Sequence, residues 1–266
     1  MIALLRSDAY RVLHSRWIWG VVAIVTFLLF APALMMRWTS MGPVFYDDLT
    51  SSALAMTGVQ MLAAAMACIV CCDRTDIGFS RSILSSFCER GRTVWFAEKC
   101  VFSLALAAVL IVFTFVVGLL ALLVSGVPVA NPEPAWQVAA WLGCMWLCAA
   151  PYVALTVLVA HLTRSEGVTI GFAVLSSGGL LEGGIVIGID ALCYLAGGHF
   201  LDFSSAVAPW LPSQIAGIVG QGAAALLSTD NAEHLSAAVR ALVVCLPLTV
   251  AVTAADALLV SRRDVA

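Results

Sequence analysis

Glu182 stands where a carboxylate asks most of its surroundings. It lies 14 residues beyond Val168 in an apolar run, roughly 21 Å along a helix rising ~1.5 Å per residue. An isolated carboxylate at that depth of a bilayer costs about 2.5–3.5 kcal/mol on insertion scales. It must therefore face protein or water, or carry a proton, and two roles stay open: lining a pathway, or serving as a structural hydrogen-bond partner. The nine cysteines include Cys68-x-x-Cys71-Cys72 and Cys144-x-x-x-Cys148, spacings that suit a metal only with further ligands. No His stands beside either, and nearly all nine fall within apolar runs, so they read as small packing residues rather than metal ligands or a disulfide framework. His161 and His199 flank opposite ends of the Glu182 run, too far apart to share a site. Neither His-Glu-x-x-His nor Gly-x-Ser-x-Gly occurs, and a Gly-x-x-x-x-Gly-Lys-Ser/Thr loop is absent, with Lys99 the only lysine. No catalytic, cofactor-binding or metal site is expected, and the chain should not hydrolyse ATP by itself.

The elements that hold these residues follow from composition. Of 266 residues, 62% are apolar and 11% charged, against about 45–50% and 25% in soluble domains, and the mean hydropathy is +1.03. This excess predicts an all-α integral membrane protein. A net charge of −3 provides no broadly basic surface for nucleic acid. Apolar stretches long enough to span, at about 20 residues each, fall near 17–36, 51–72, 93–125, 136–160, 168–195 and 239–260. They predict six transmembrane helices in one transmembrane domain, 1–266, too long and too weakly alternating for barrel strands. Ala31-Pro32-Ala33 resembles a signal-peptidase site, but the apolar run continues past it, so the first span is expected to be retained.

Charge placement orients the bundle. Eleven of the thirteen basic residues fall before span one, between spans two and three, between four and five, or after six; Arg37 and Arg240 alone fall on the other side, among Asp47, Asp48, Glu133, Asp202, Asp230 and Glu233. The positive-inside rule then predicts a multi-pass cell-membrane protein with both termini cytoplasmic. Asp190 should reach the outer interface and Asp256 water at the inner end of span six.

Two cytoplasmic segments stand out. In 1–16, Ile2, Leu5, Ala9, Val12 and Leu13 recur at helical spacing with Ser7, Arg11, His14 and Ser15 opposite, the pattern of an amphipathic helix lying in the interface; a plain topogenic leader is the alternative. In 73–99, Phe79, Ile83, Leu84 and Phe87 make an apolar arc with Arg81, Ser82 and Ser85 facing away, and Gly91 breaks the chain before Thr93 opens the next helix. Such a stripe calls for lipid headgroups or a protein groove; a topology-setting loop is the alternative. Outside, 196–238 is too long for a turn and too apolar for a solvated loop, so an interfacial or re-entrant element is expected, broken at Pro209-Trp210-Leu211-Pro212 with a short helix starting at Ser213. Gly179-x-x-x-Gly183 and Gly184-x-x-x-Gly188 suggest close helix packing within span five.

The order of an N-terminal amphipathic helix, two spans, an acidic-x-x-x-x-Gly-x-x-Arg helix (Asp73 to Arg81), then Arg90-Gly91-Arg92 and Lys99 on the approach to span three, and three further spans resembles the type-2 permease subunits of ABC transporters. Phe79 stands where that family commonly has Thr, and Glu89 replaces the usual Gly-Ser. The resemblance implies that the N-terminal helix and the loop dock on a separate ATPase subunit, with Phe79, Arg81, Ile83, Phe87, Arg90, Arg92 and Lys99 as ATPase-coupling candidates. It also implies a second permease subunit, in a homo- or heterodimer, and ATP bound by the partner with no cofactor in this chain. The expected function is export of an amphipathic, peptide or lipid-like compound. A secondary transporter is the alternative, and an intramembrane hydrolase using Glu182 with His161 or His199 a more distant one.

Overall fold

The computed structural model describes residues 2–39, 46–53, 58–71, 91–126, 128–195, 207–226 and 235–262. The elements are α1 (Ile2–His14), α2 (Arg16–Thr39), β1 (Tyr46–Asp48), α3 (Leu49–Ala53), α4 (Val59–Cys71), α5 (Gly91–Ser125), β2 (Val129–Asn131), α6 (Ala135–Thr163), α7 (Glu166–Ser177), α8 (Leu180–Leu195), α9 (Pro212–Val219) and α10 (Ala237–Arg262). Short 3₁₀ turns at Ala208–Trp210 and Ala224–Leu226 flank α9. The only strands among the described residues, β1 and β2, pair in parallel with Tyr46 opposite Val129 and Asp48 opposite Asn131.

Among the described residues, four helices are long and apolar enough to cross a membrane: Arg16–Trp38, Val94–Ser125, Ala135–Thr163 and Ala237–Val260. A fifth crossing results if α7 and α8, bent by 64° at their junction, act as one span. The plain departure from six unbroken spans is that bend. The 51–72 stretch contributes the end of α3 and the 13-residue α4, with 54–57 and 72 outside the described residues. Val59, Ala63, Ala64, Met66, Ala67, Cys68 and Val70 of α4 are all buried among neighbouring helices. The 168–195 stretch breaks because Gly179 takes φ +74° and a side chain there would meet Ser213 Cβ at 3.2 Å, a conformation and an approach suited to glycine. The expected glycine packing face is absent among the described residues, since nothing lies within 4 Å of a Cβ built on Gly183, Gly184 or Gly188.

Cross-element bonds give the helix directions. Arg37 near the end of α2 donates to the Val124 carbonyl near the end of α5, so α2 and α5 run alike. Arg11 of α1 donates to the Val70 carbonyl near the end of α4, and Asp256 of α10 meets His161 near the end of α6. Thus α4, α6 and α10 run the other way, and α1 shares one end of the bundle with the last turns of α10. The core between them holds Trp141, fully buried, its ring 5.7 Å from Phe115 and its Nε1 donating to the Val219 carbonyl at 2.7 Å. That bond fixes α9 over the start of α6. Trp146 Nε1 likewise donates to the Leu104 carbonyl at 2.9 Å, tying α6 to α5. Both indoles bury a large apolar area while their one donor is satisfied.

Candidate functional site

Polar chemistry gathers at the two ends of the bundle. At the α1 end, Lys99 Nζ stands 2.6 Å from Asp8 Oδ2, and both side chains are almost wholly buried. Arg11 Nη2 lies 3.6 Å from Asp8 Oδ1 and donates to the Val70 carbonyl at 3.2 Å. One carboxylate therefore joins α1, α4 and α5. Removing either member of a buried pair leaves an uncompensated charge, at about 3–5 kcal/mol, so the docking of α1 is stiff.

This geometry redraws the faces of α1. Val12 is buried as the pattern requires, but Asp8 and Arg11 turn toward the bundle while Leu13 is 60% exposed. Asp8 and Arg11 thus add polar pairings to the inward side of the helix. Of the coupling candidates, Lys99 bonds α1 of its own chain, and Arg92 sits in the first turn of α5. Phe79, Arg81, Ile83, Phe87 and Arg90 lie outside the described residues.

A second polar pair lies at the same end. His161 Nδ1 is 3.0 and 2.9 Å from the two oxygens of Asp256, whose side chain is 1% exposed. Trp95 and Phe96 cover the imidazole with ring centroids at 5.4 and 6.1 Å. A narrow crevice lined by Cys100, Val153, Val157, Thr253 and Asp256 runs beside the pair. Asp256, expected to reach water, is instead locked to α6. Its depth near the end of α10, matched by that of His161 near the end of α6, was the available signal. The expectation weighed each residue separately and so missed the pair.

At the α9 end, Glu182 is held through both oxygens: Tyr152 Oη donates to Oε1 at 2.7 Å, and the Ser213 backbone N–H donates to Oε2 at 3.0 Å. The carboxylate thus satisfies a donor in the first turn of α9 and sits at the positive end of that helix. Glu133 plays a comparable part for α3, accepting from the Thr50 N–H and hydroxyl, while Thr50 Oγ1 accepts from the Ala223 N–H at 2.7 Å. Arg240, 1% exposed, donates to the Pro209 carbonyl at 3.4 Å. Asp190, expected at the outer interface, is 4% exposed.

Between the ends, the α6–α10 interface carries a polar row. Cys148 and Cys245 are fully buried there. Thr156, Thr249 and Thr253 return their hydroxyl protons to the carbonyls of Tyr152, Cys245 and Thr249 four residues earlier. That local bonding is how hydroxyls are accommodated inside an apolar bundle. The seven described cysteines are free thiols.

Long apolar helices, four or five of the described ones able to cross a bilayer, define a helical membrane protein. No protein-family model matches the chain, and comparison with curated proteins finds no match.

Proposed function

We propose that the chain is the membrane-spanning permease subunit of an ABC transporter, exporting an amphipathic, peptide or lipid-like compound with ATP hydrolysed by a separate subunit. It works beside a second permease subunit, in the cell membrane, with both termini cytoplasmic. The observation that carries this reading is the buried Asp8–Lys99–Arg11 anchor. It fixes α1 to α4 and α5, the helices that bracket the 73–99 segment, so displacement of that segment by a partner reaches three helices at once. Lys99 then acts behind the docking surface, as a positioning residue. The clustering of basic residues toward the α1 end supports the orientation.

A proton-driven secondary transporter is the second reading, favoured by the buried His161–Asp256 pair, because acidic and histidine side chains inside membranes commonly mark proton relays. The deciding experiment is purification from native membranes followed by reconstitution. An ATPase that co-purifies, with transport requiring ATP and indifferent to a protonophore, supports the permease. Transport abolished by a protonophore and independent of ATP overturns it in favour of the second.

A further inference from the structure

With Asp8 and Val12 turned inward, the outward face of α1 has an unusual make-up. Arg6, Tyr10, Leu13, His14 and Trp17 follow one another at helical spacing and all are exposed, Tyr10 by 65% and Trp17 by 67%. Tyr10 and His14 stack at 4.0 Å, and Trp19 Nε1 donates to the Leu13 carbonyl at 3.1 Å, which pins the bend into α2. Arg16, at the start of α2, is exposed beside them. The only acidic residue among the first twenty is Asp8, buried and neutralised by Lys99. This face is therefore purely cationic.

Its depth is also marked. Asp8 meets Lys99 five residues into the apolar stretch Val94–Ser125, about 7.5 Å from that stretch's start at ~1.5 Å per residue. Arg11 meets α4 at its penultimate residue, Val70. α1 thus lies level with the border of the apolar belt, where aromatic rings and basic side chains settle among headgroups.

We propose that the outward face of α1 is a binding surface for anionic phospholipid, with the Arg6 and Arg16 guanidiniums on headgroup phosphates and the Tyr10, Leu13 and Trp17 side chains at the level of the upper acyl chains. The proposal depends on the membrane setting alone and does not require an ATPase partner.

The test uses the full chain in phosphatidylcholine vesicles containing about a fifth of chain-brominated lipid, either phosphatidylglycerol or phosphatidylcholine; at this fraction a preference of about fivefold per arginine is readable. The Trp17 signal is the difference between the wild type and Trp17→Phe. Brominated phosphatidylglycerol is expected to quench it at least about threefold more than brominated phosphatidylcholine. The preference should vanish between about 0.05 and 0.5 M salt. Arg6→Ala with Arg16→Ala should remove the preference and keep the phosphatidylcholine quenching. Equal quenching by the two lipids in the wild type overturns the proposal, as does a preference that survives both arginine substitutions. No quenching by either lipid also overturns it, because the face is then covered by protein, whether a second copy or another subunit.

Discussion

Asp8 and Lys99 form a pair whose value shows when it is broken. Lys99→Met leaves a buried carboxylate with Arg11 at 3.6 Å as its remaining cationic partner, and should cost about 3 kcal/mol or more. Asp8→Asn in the same chain should recover much of that loss, because no uncompensated charge then remains. Thermal unfolding in detergent of the two singles and the double checks it, and purely additive losses would count against the pair. Glu182 gives a sharper distinction. A glutamine offers one acceptor oxygen where the carboxylate supplies two, so Glu182→Gln can accept from the Ser213 N–H but then reaches Tyr152 only by donating to its phenol oxygen, with the charge lost and the Tyr152 proton left without its acceptor. It should destabilise by about 1–2 kcal/mol, and Glu182→Leu by more, since both donors are then left buried and unmet at about 1–3 kcal/mol each. If both variants unfold like the wild type while transport changes, Glu182 belongs to the pathway and its capping bonds are incidental.

At the scale of elements, the glycines of the α7–α8 stretch separate into two kinds. Gly179→Ala forces a side chain into φ +74° and against Ser213, so it should cost about 1–2 kcal/mol and loosen α9. Gly183→Ala and Gly188→Ala meet open space and should leave the folding of the single chain within about 0.5 kcal/mol. Hydrogen exchange of the α9 amides together with unfolding curves reads both; a silent Gly179→Ala would remove the break from the account. The His161–Asp256 bond makes the corresponding prediction for α6 and α10. A double-mutant cycle with His161→Gln and Asp256→Asn should give a coupling energy of at least about 0.5 kcal/mol. A coupling of zero would mean that the helices are held by apolar packing alone.

For the whole molecule, alternating helix directions bring α1 and the end of α10 to one side of the bundle and α9 to the other. Cysteine labelling in a cysteine-free background should therefore find residues 6 and 262 accessible from one face of the membrane and residue 210 from the opposite face. Labelling of 210 and 262 from the same side would overturn the arrangement. α4 fits this plan as the element that runs back between α2 and α5, with Ala63, Ala64 and Ala67 buried among neighbouring helices.

Composition was enough to establish the class of fold, because no soluble core of 266 residues can bury 62% apolar side chains. Four long helices were legible for the same reason, their uninterrupted apolar length being set by the bilayer. The start of α9 was also readable from Pro212, whose missing N–H and restricted φ suit the first turn of a helix. What lay beyond reach were properties of pairs distant in the chain. Asp8 finds Lys99 across 91 positions and His161 finds Asp256 across 95, and no local pattern encodes a partner at that separation. Hydrophobicity likewise does not distinguish a residue buried against helices from one facing lipid, since both favour alanine, valine and leucine. So the burial of one side of α4 and the exposure of Leu13 became visible only once neighbouring helices occupied one side and left the other open.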